Sequence, residues 1–191
     1  QGVASSLTLG DALRPVLEAV VASGANSARI LLMRDMLPVE TPLRFADGLE
    51  QDVYMHLDQQ ILALTEGQER VVMATLARNR GLLLDPNLPQ PESLIALALR
   101  HEGRYYGTLW AAYNQQHIFS ESDLKFMSTL ASQATLAIAN IRLFMTVEVS
   151  RRQLEAILNS TPDPVLVTDA SNRLILANPA AGQVFGVTIR R

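Results

Sequence analysis

Three histidines, His56, His101 and His117, are the side chains of this sequence best suited to metal ligation or proton transfer. No two stand three or four residues apart, the spacing that puts a ligand pair on one helix face. Ser120 and Ser122 carry hydroxyls, but no nucleophile elbow surrounds either. Ser120 followed by Asp123 reads instead as a helix-capping pair. The sequence has no cysteine. That removes disulfides, thiolate metal sites, iron–sulfur clusters, thiol nucleophiles and thioether-linked chromophores such as a bilin. No catalytic residue and no metal ligand set is expected, which leaves binding and relay as the chemistry to look for.

The elements that would position these residues follow from periodicity. Leu9, Leu13, Val16, Leu17, Val20 and Val21 form one apolar stripe, so 7–23 reads as a helix ended by Ser23-Gly24. Ala28–Arg34 reads as a strand covered on both faces. Pro38 and Pro42 mark a turn, and Leu43–Ala46 reads as a second strand closed by Asp47-Gly48. Val53, Leu57, Ile61 and Leu64 predict a second amphipathic helix. Arg70–Asn79 reads as a third helix with Val72, Met73 and Leu76 on its apolar side, and Leu82–Leu84 as a brief strand. Pro86, Pro89 and Pro91 require an exposed loop. Ser93–Arg100 and Arg104–Tyr113 form the clearest strand pair, joined by the turn His101-Glu102-Gly103.

Ser120 to Asp123 then opens the strongest helix, and neither Gly nor Pro returns before Pro162. A helix over 121–159 would be roughly 55–60 Å long. A domain of about 150 residues is only some 40 Å across, so the C-terminal part of the helix is expected to extend past its own domain. Val165–Thr168 and Leu174–Ala177 read as short strands and Pro179–Val184 as a short helix. Only 28 residues follow Asp163, fewer than the ~40 at which chains fold unaided. The sequence begins at Gln1 and stops in mid-pattern at Arg190-Arg191, and reads as a piece of a longer protein.

The 191 residues, 48% hydrophobic and 18% charged, are enough to bury a real core. A net charge of −3 gives no electrostatic footprint for nucleic acid. No unbroken apolar run approaches the ~18–20 residues of a membrane span. Antiparallel strands in sequence, with helices grouped between them, predict an α+β fold with an antiparallel sheet flanked by helices.

At the hairpin the residues become recognisable. Ser93–Leu99, Glu102-Gly103 and Tyr106-Gly107-Thr108-Leu109 resemble the core signature of GAF domains. So does the run from Phe119 through Asp123 into the helix carrying Leu130, Ala131, Ala134, Ala137, Ile138 and Ala139. The tail resembles the opening of a PAS domain: a leading helix at Leu154–Ser160, a first strand at Pro164–Asp169, and a second strand and turn at Arg173–Ala181. The resemblance divides the chain into a GAF-like domain at 5–146, a signalling-helix linker at 147–160 and a truncated PAS-like segment at 161–191. It implies a cytoplasmic sensory input module of a bacterial signalling protein, foremost a two-component sensor histidine kinase. The alternatives are a ligand-free dimerisation module and the input domain of a diguanylate cyclase or transcription regulator.

The resemblance also frames the candidate sites. A small-molecule ligand of unknown identity would lie between the sheet and the 53–79 region, near Phe45, His56, Trp110 and Tyr113. His56 resembles the haem histidine of some GAF sensors, or is a structural histidine. Asn114, Phe119 and Asp123 match the pattern of cyclic-nucleotide-binding GAF domains, but Gln115 and Leu124 replace its Lys and Glu. The branch that reduces methionine sulfoxide needs cysteine. His101-Glu102 has the residue types of a phosphoacceptor pair but lies in a hairpin rather than a helical bundle. The long helix has two stripes, Met127, Ala131, Ala134, Ile138, Ile141 and Met145, and Leu130, Ala137, Phe144, Val147, Leu154 and Leu158. A homodimer is expected through this helix, with Met127, Leu130, Ala134, Ile138, Ile141, Phe144 and Leu154 as contact candidates.

Overall fold

A computed structural model describes residues 9–34, 43–76 and 81–186. The chain divides into two compact units, Gln1–Arg142 and Leu143–Arg191. The first unit begins with helix α1 (Leu9–Ala22) and strands β1 (Ser27–Leu32) and β2 (Arg44–Asp47). A 3-10 turn (Met55–Leu57) leads into α2 (Asp58–Gly67), followed by β3 (Arg70–Met73), β4 (Ser93–His101) and β5 (Arg104–Tyr113). Helix α3 (Glu121–Ser160) is unbroken for 40 residues and enters the second unit. There it is followed by β6 (Leu166–Thr168), β7 (Leu174–Ala177) and α4 (Pro179–Phe185).

The five strands of the first unit form one antiparallel sheet in the order β2-β1-β5-β4-β3. This is the α+β architecture expected from the sequence. Side chains alternate with a period of two between its faces. Ile30, Ile95, Leu97, Leu99 and Leu109 join a core with α1 and α3. Leu31, Leu94, Ala96, Trp110 and Ala112 join a second core with α2. Burying each of these large side chains is worth about 1.5–3 kcal/mol, so both faces must be roofed, and the helices on either side do this.

Local chemistry fixes the corners. Glu102 (φ 51) and Gly103 (φ 75) turn the β4–β5 hairpin in two residues of positive φ, the type I′ geometry that suits strand twist. At the start of α3 the Ser120 hydroxyl accepts from the Asp123 amide, and the Asp123 carboxylate accepts from the Ser120 amide at 2.8 Å. The Ser120 amide foremost, and then the Ser120 hydroxyl, which donates to the same carboxylate at 2.8 Å, hold the Asp123 carboxyl below its ordinary pKa, with a smaller contribution from His117. Gly107 sits in β5 at φ +146, where an added Cβ would run into the Leu31 carbonyl oxygen of β1. Gly107→Ala is expected to cost about 2–4 kcal/mol from backbone strain and overpacking together. Urea denaturation followed by circular dichroism measures it, and a loss under 1 kcal/mol would contradict the close approach.

Two elements differ from the sequence reading. The described part of Arg70–Asn79, residues 70–76, is not a helix. Val71 and Met73 are buried while Arg70 and Val72 are exposed, the alternation of a strand, and Arg70–Met73 pairs with β4. Adjacent β-branched valines beside an open sheet edge override the helical spacing. Residues 77–80 lie outside the described residues, as do Pro38 and Pro42. Leu82–Leu84 is not a strand either. The Gln60 side chain donates to the Leu83 carbonyl (3.0 Å) and accepts from its amide (2.7 Å), doing what a neighbouring strand would do. The second helix also starts later than expected, and Val53 lies outside it, exposed.

In the second unit β6 and β7 pair antiparallel. Their organiser is Asn178, 3% exposed. Its Oδ1 accepts from the amides of Val165 (2.8 Å) and Ala181 (2.9 Å). Its Nδ2 faces the carbonyls of Leu158 (3.2 Å), Thr161 (3.4 Å) and Asp163 (2.9 Å).

Helix α3 contains an 18-residue window of mean hydropathy 1.3, long and apolar enough by length and composition alone to cross a membrane. The helix also gives Met127, Leu130, Ala131, Ala134 and Ile138 to the core of the first unit.

Candidate functional site

The α2 face of the sheet carries a charge that an apolar strand would not be expected to bury. Arg29, in the middle of β1, is 2% exposed, and Asp58, the first residue of α2, is 1% exposed. The guanidinium forks the carboxylate, Nε to Oδ1 at 2.8 Å and Nη2 to Oδ2 at 2.6 Å. Its Nη1 donates to the Gln51 carbonyl. The Trp110 indole N–H, from β5, donates to Asp58 Oδ1 at 3.1 Å. A buried carboxylate costs several kcal/mol to desolvate and is tolerated only with its lone pairs occupied. Here three N–H groups occupy them. The carboxylate is thereby held as an acceptor within a closed cluster, and the guanidinium is matched to a planar anion already present.

A second cluster ties the loop before α2 to the end of β5. The Tyr54 hydroxyl donates to Asn114 Oδ1 (2.5 Å), and Asn114 Nδ2 donates to Glu50 Oε2 (2.6 Å). Burial, reinforced by the adjacent Glu50 carboxylate, pushes the Tyr54 hydroxyl up to about 12. It remains a neutral donor throughout the physiological range.

The four residues assigned from sequence to one ligand cavity do not share one. Trp110 lies in the α2-side core. Tyr113 lies in the opposite core, and Phe45 packs against that same core. The cause is strand parity: Trp110 and Tyr113 are three apart on β5 and so point to opposite faces. His56 is half-buried, with a buried Nε2 that has no hydrogen-bond partner. Tyr113 instead stacks on His117 (4.5 Å between ring centres) and meets Phe119 edge-on (5.5 Å). His117 stands 3.7 Å from Asp123, and His101 stands 3.9 Å from Glu102 at the hairpin. Asn114 is absorbed by the Tyr54 cluster and Asp123 by the α3 cap, so neither is aimed at a nucleotide site. Among the described residues no group of three or more His, Asp or Glu side chains is placed to hold a metal ion.

The helix residues divide as sharply. Met127, Leu130, Ala134 and Ile138 are buried in their own unit, and Ile141 packs against the same core. Phe144 and Leu154 are 67% and 60% exposed. The first five are therefore spent within the chain, and only the last two remain open to a partner. Two open grooves lie at the β3 side of the sheet. One, of about 540 Å³, runs along β3 itself. The other, of about 580 Å³, runs between β3, β4 and α3 and is lined by Arg70, Arg100 and Ser132 among others.

Sequence reasoning missed the Arg29–Asp58 pair. The signal was present: a lone arginine amid Ser-Ala-Arg-Ile-Leu-Leu, in a strand with both faces covered, needs a buried counter-charge. Nothing in the spacing says that the counter-charge lies 29 residues on.

The geometry can be set beside known proteins. No curated protein sequence matches the chain. Solved structures of the same fold include the GAF domain of a phosphoenolpyruvate-protein phosphotransferase from Coxiella burnetii (17% identity, TM-score 0.55). That similarity covers 74% of this chain and 89% of the other. A GAF domain/HD domain protein from Geobacter sulfurreducens is 13% identical at TM-score 0.55, covering 73% and 97%. The domain of a two-component sensor histidine kinase protein from Sinorhizobium meliloti is 18% identical at TM-score 0.52, covering 73% and 94%. At such identities the likeness is one of fold. The family models are more specific: that of the PAS domain matches residues 152–191. That of the GAF domain matches residues 6–139, the sheet, both cores and the start of α3, and by this measure the chain belongs to the GAF domain family.

Proposed function

We propose that this chain is the cytoplasmic sensory input segment of a two-component sensor histidine kinase, acting as a homodimer. GAF and PAS modules make it a signal-transduction input module; the kinase output is the finer reading. The observation that carries it is α3, a single unbroken helix. Its first half is built into the GAF core, and its last turn is held by Asn178 in the PAS segment. A change in the packing of the sheet on α3 would reach the next module through one continuous helix. Domains of a sensor histidine kinase and of a methyl-accepting chemotaxis protein are among the similar structures, which supports a signalling parent. Incubating the full-length protein with radiolabelled ATP tests the output. Acid-labile, base-stable phosphate on the protein is expected. Formation of cyclic di-GMP from GTP, or specific DNA binding without phosphorylation, would replace the kinase by a cyclase or a regulator.

The α2-side core supports a second reading, in which the module dimerises without a ligand. Where a sensed molecule would be sought, Arg29, Asp58 and Trp110 already satisfy one another. Native mass spectrometry of protein purified from its source separates the two readings. A retained small molecule supports sensing, and bare protein supports a dimerisation role.

A further inference from the structure

We infer that the free edge of β3 is a docking site for an extended, acidic segment of a partner protein, which adds to the sheet as a sixth strand. β3 stands at one end of the strand order and is paired on one side alone, with β4. The Ala98 amide donates to the Glu69 carbonyl at 2.9 Å, and these two residues face each other in the register that pairs Arg70 with Leu97. That bond fixes the parity of the ladder. Hydrogen-bonded and non-hydrogen-bonded positions alternate in an antiparallel pair. Val71 therefore directs its amide and carbonyl to β4, while Arg70 and Val72 direct theirs outward. Among the described residues no hydrogen bond is made to those outward groups. Sheet edges are commonly blunted by lysine, proline or a bulge. β3 carries none of these, and its Val72 is 40% exposed.

The surroundings select the occupant. An added strand lies about 4.8 Å beyond β3 and sends alternate side chains to the two faces of the sheet. A groove is open on each face. That of about 540 Å³ lies on the α2 side, by Leu64, Gln68 and Met73. That of about 580 Å³ lies on the α3 side, by Arg70, Ser128 and Ser132. Arg70 is exposed and takes part in none of the ion pairs of the described residues. Arg100, at the same groove, donates to the Glu66 carbonyl and lies 4.9 Å from the centre of the Tyr105 ring, which holds its charge in place. Among the described residues Glu69 is the only acid lining this groove, so the balance is positive and favours carboxylates. A free inorganic anion fits less well. The Ser132 and Thr135 hydroxyls donate to carbonyls of their own helix, Ser128 at 2.9 Å and Ala131 at 2.7 Å, and neither proton is left for it. An extended chain brings the main-chain donors and acceptors that the edge lacks. Such bonds give strand addition its affinity, and alternate side chains give it selectivity.

The test uses the full chain and a fluorescein-labelled peptide, Thr-Glu-Val-Glu-Val-Glu-Thr, beside its counterpart with lysine in place of each glutamate. Fluorescence anisotropy is expected to saturate, with the acidic peptide bound tighter by about threefold or more. Arg70→Glu is expected to reverse that order. Val72→Pro removes only an outward amide, a change that a sheet edge tolerates. It is expected to weaken binding about tenfold, the worth of one hydrogen bond, with the circular dichroism retained. By NMR, amide exchange at Arg70 and Val72 is expected to slow about tenfold or more with saturating peptide, while that of Val71 does not change. These wild-type exchange rates decide the matter where the proline variant unfolds. No saturable binding at about millimolar protein overturns the inference, as does binding that leaves the Val72 amide as fast as before. Equal affinity for the lysine peptide overturns the acidic partner. Outward amides that are slow in the free chain and quicken on dilution assign the edge to a second copy, which also overturns it.

Discussion

Asp58→Ala is expected to lower the unfolding free energy by about 3–5 kcal/mol, the cost of removing one partner from a buried ion pair. The loss is not the worth of the pair. It is the penalty of leaving the Arg29 guanidinium buried without its counter-charge and the Trp110 N–H without an acceptor. The double variant Arg29→Met/Asp58→Leu removes the unpaired buried charge together with the pair, leaves only the Trp110 N–H without its acceptor, and is expected to recover a large part of the stability. Trp110 is the sole tryptophan, so intrinsic fluorescence reads this site directly in urea titrations. A single-variant loss below 1 kcal/mol, or a double variant less stable than the single, would show that the pair is not closed as described.

Ile138→Glu is expected to unfold the first unit, with a loss of about 4 kcal/mol or more from an unpaired charge placed in a core. Ile138 is 0% exposed among Met127, Leu130 and Ala134. Leu154→Glu, sixteen residues further along the same helix, is expected to keep the circular dichroism and melting of the GAF unit. Leu154 is 60% exposed and contributes nothing to that core. The contrast separates the two duties of α3, and denaturant melts of the two variants side by side measure it. Equal destabilisation by both would mean that the helix has one buried face along its whole length.

Much of the fold was legible because its signals are local. The Ser120–Asp123 cap, the Glu102-Gly103 turn and the apolar stripe of α1 depend on residues within a few positions of one another, and each is found where its spacing places it. Strand β3 was misread because Val72, Met73 and Leu76 also fit a helical stripe. Only the open edge of β4, contributed by residues some twenty positions on, makes it a strand. The site was less legible still. Whether Trp110 and Tyr113 can share a cavity is settled by strand parity, and which acid meets Arg29 is settled by where α2 begins. Both follow from tertiary packing, to which side-chain periodicity is blind.

Asn178 has a consequence for how the second unit comes apart. Its single amide satisfies carbonyls from the last turn of α3 and the turn after it, and amides at the start of β6 and in the first turn of α4. None of these groups can open to solvent alone without leaving part of that side chain buried and unmet. The end of the helix, the first strand and the short helix therefore form one cooperative opening unit. Fraying that starts at Ser160 does not stop at the end of the helix, and the first PAS strand melts and reforms in step with the helix that precedes it.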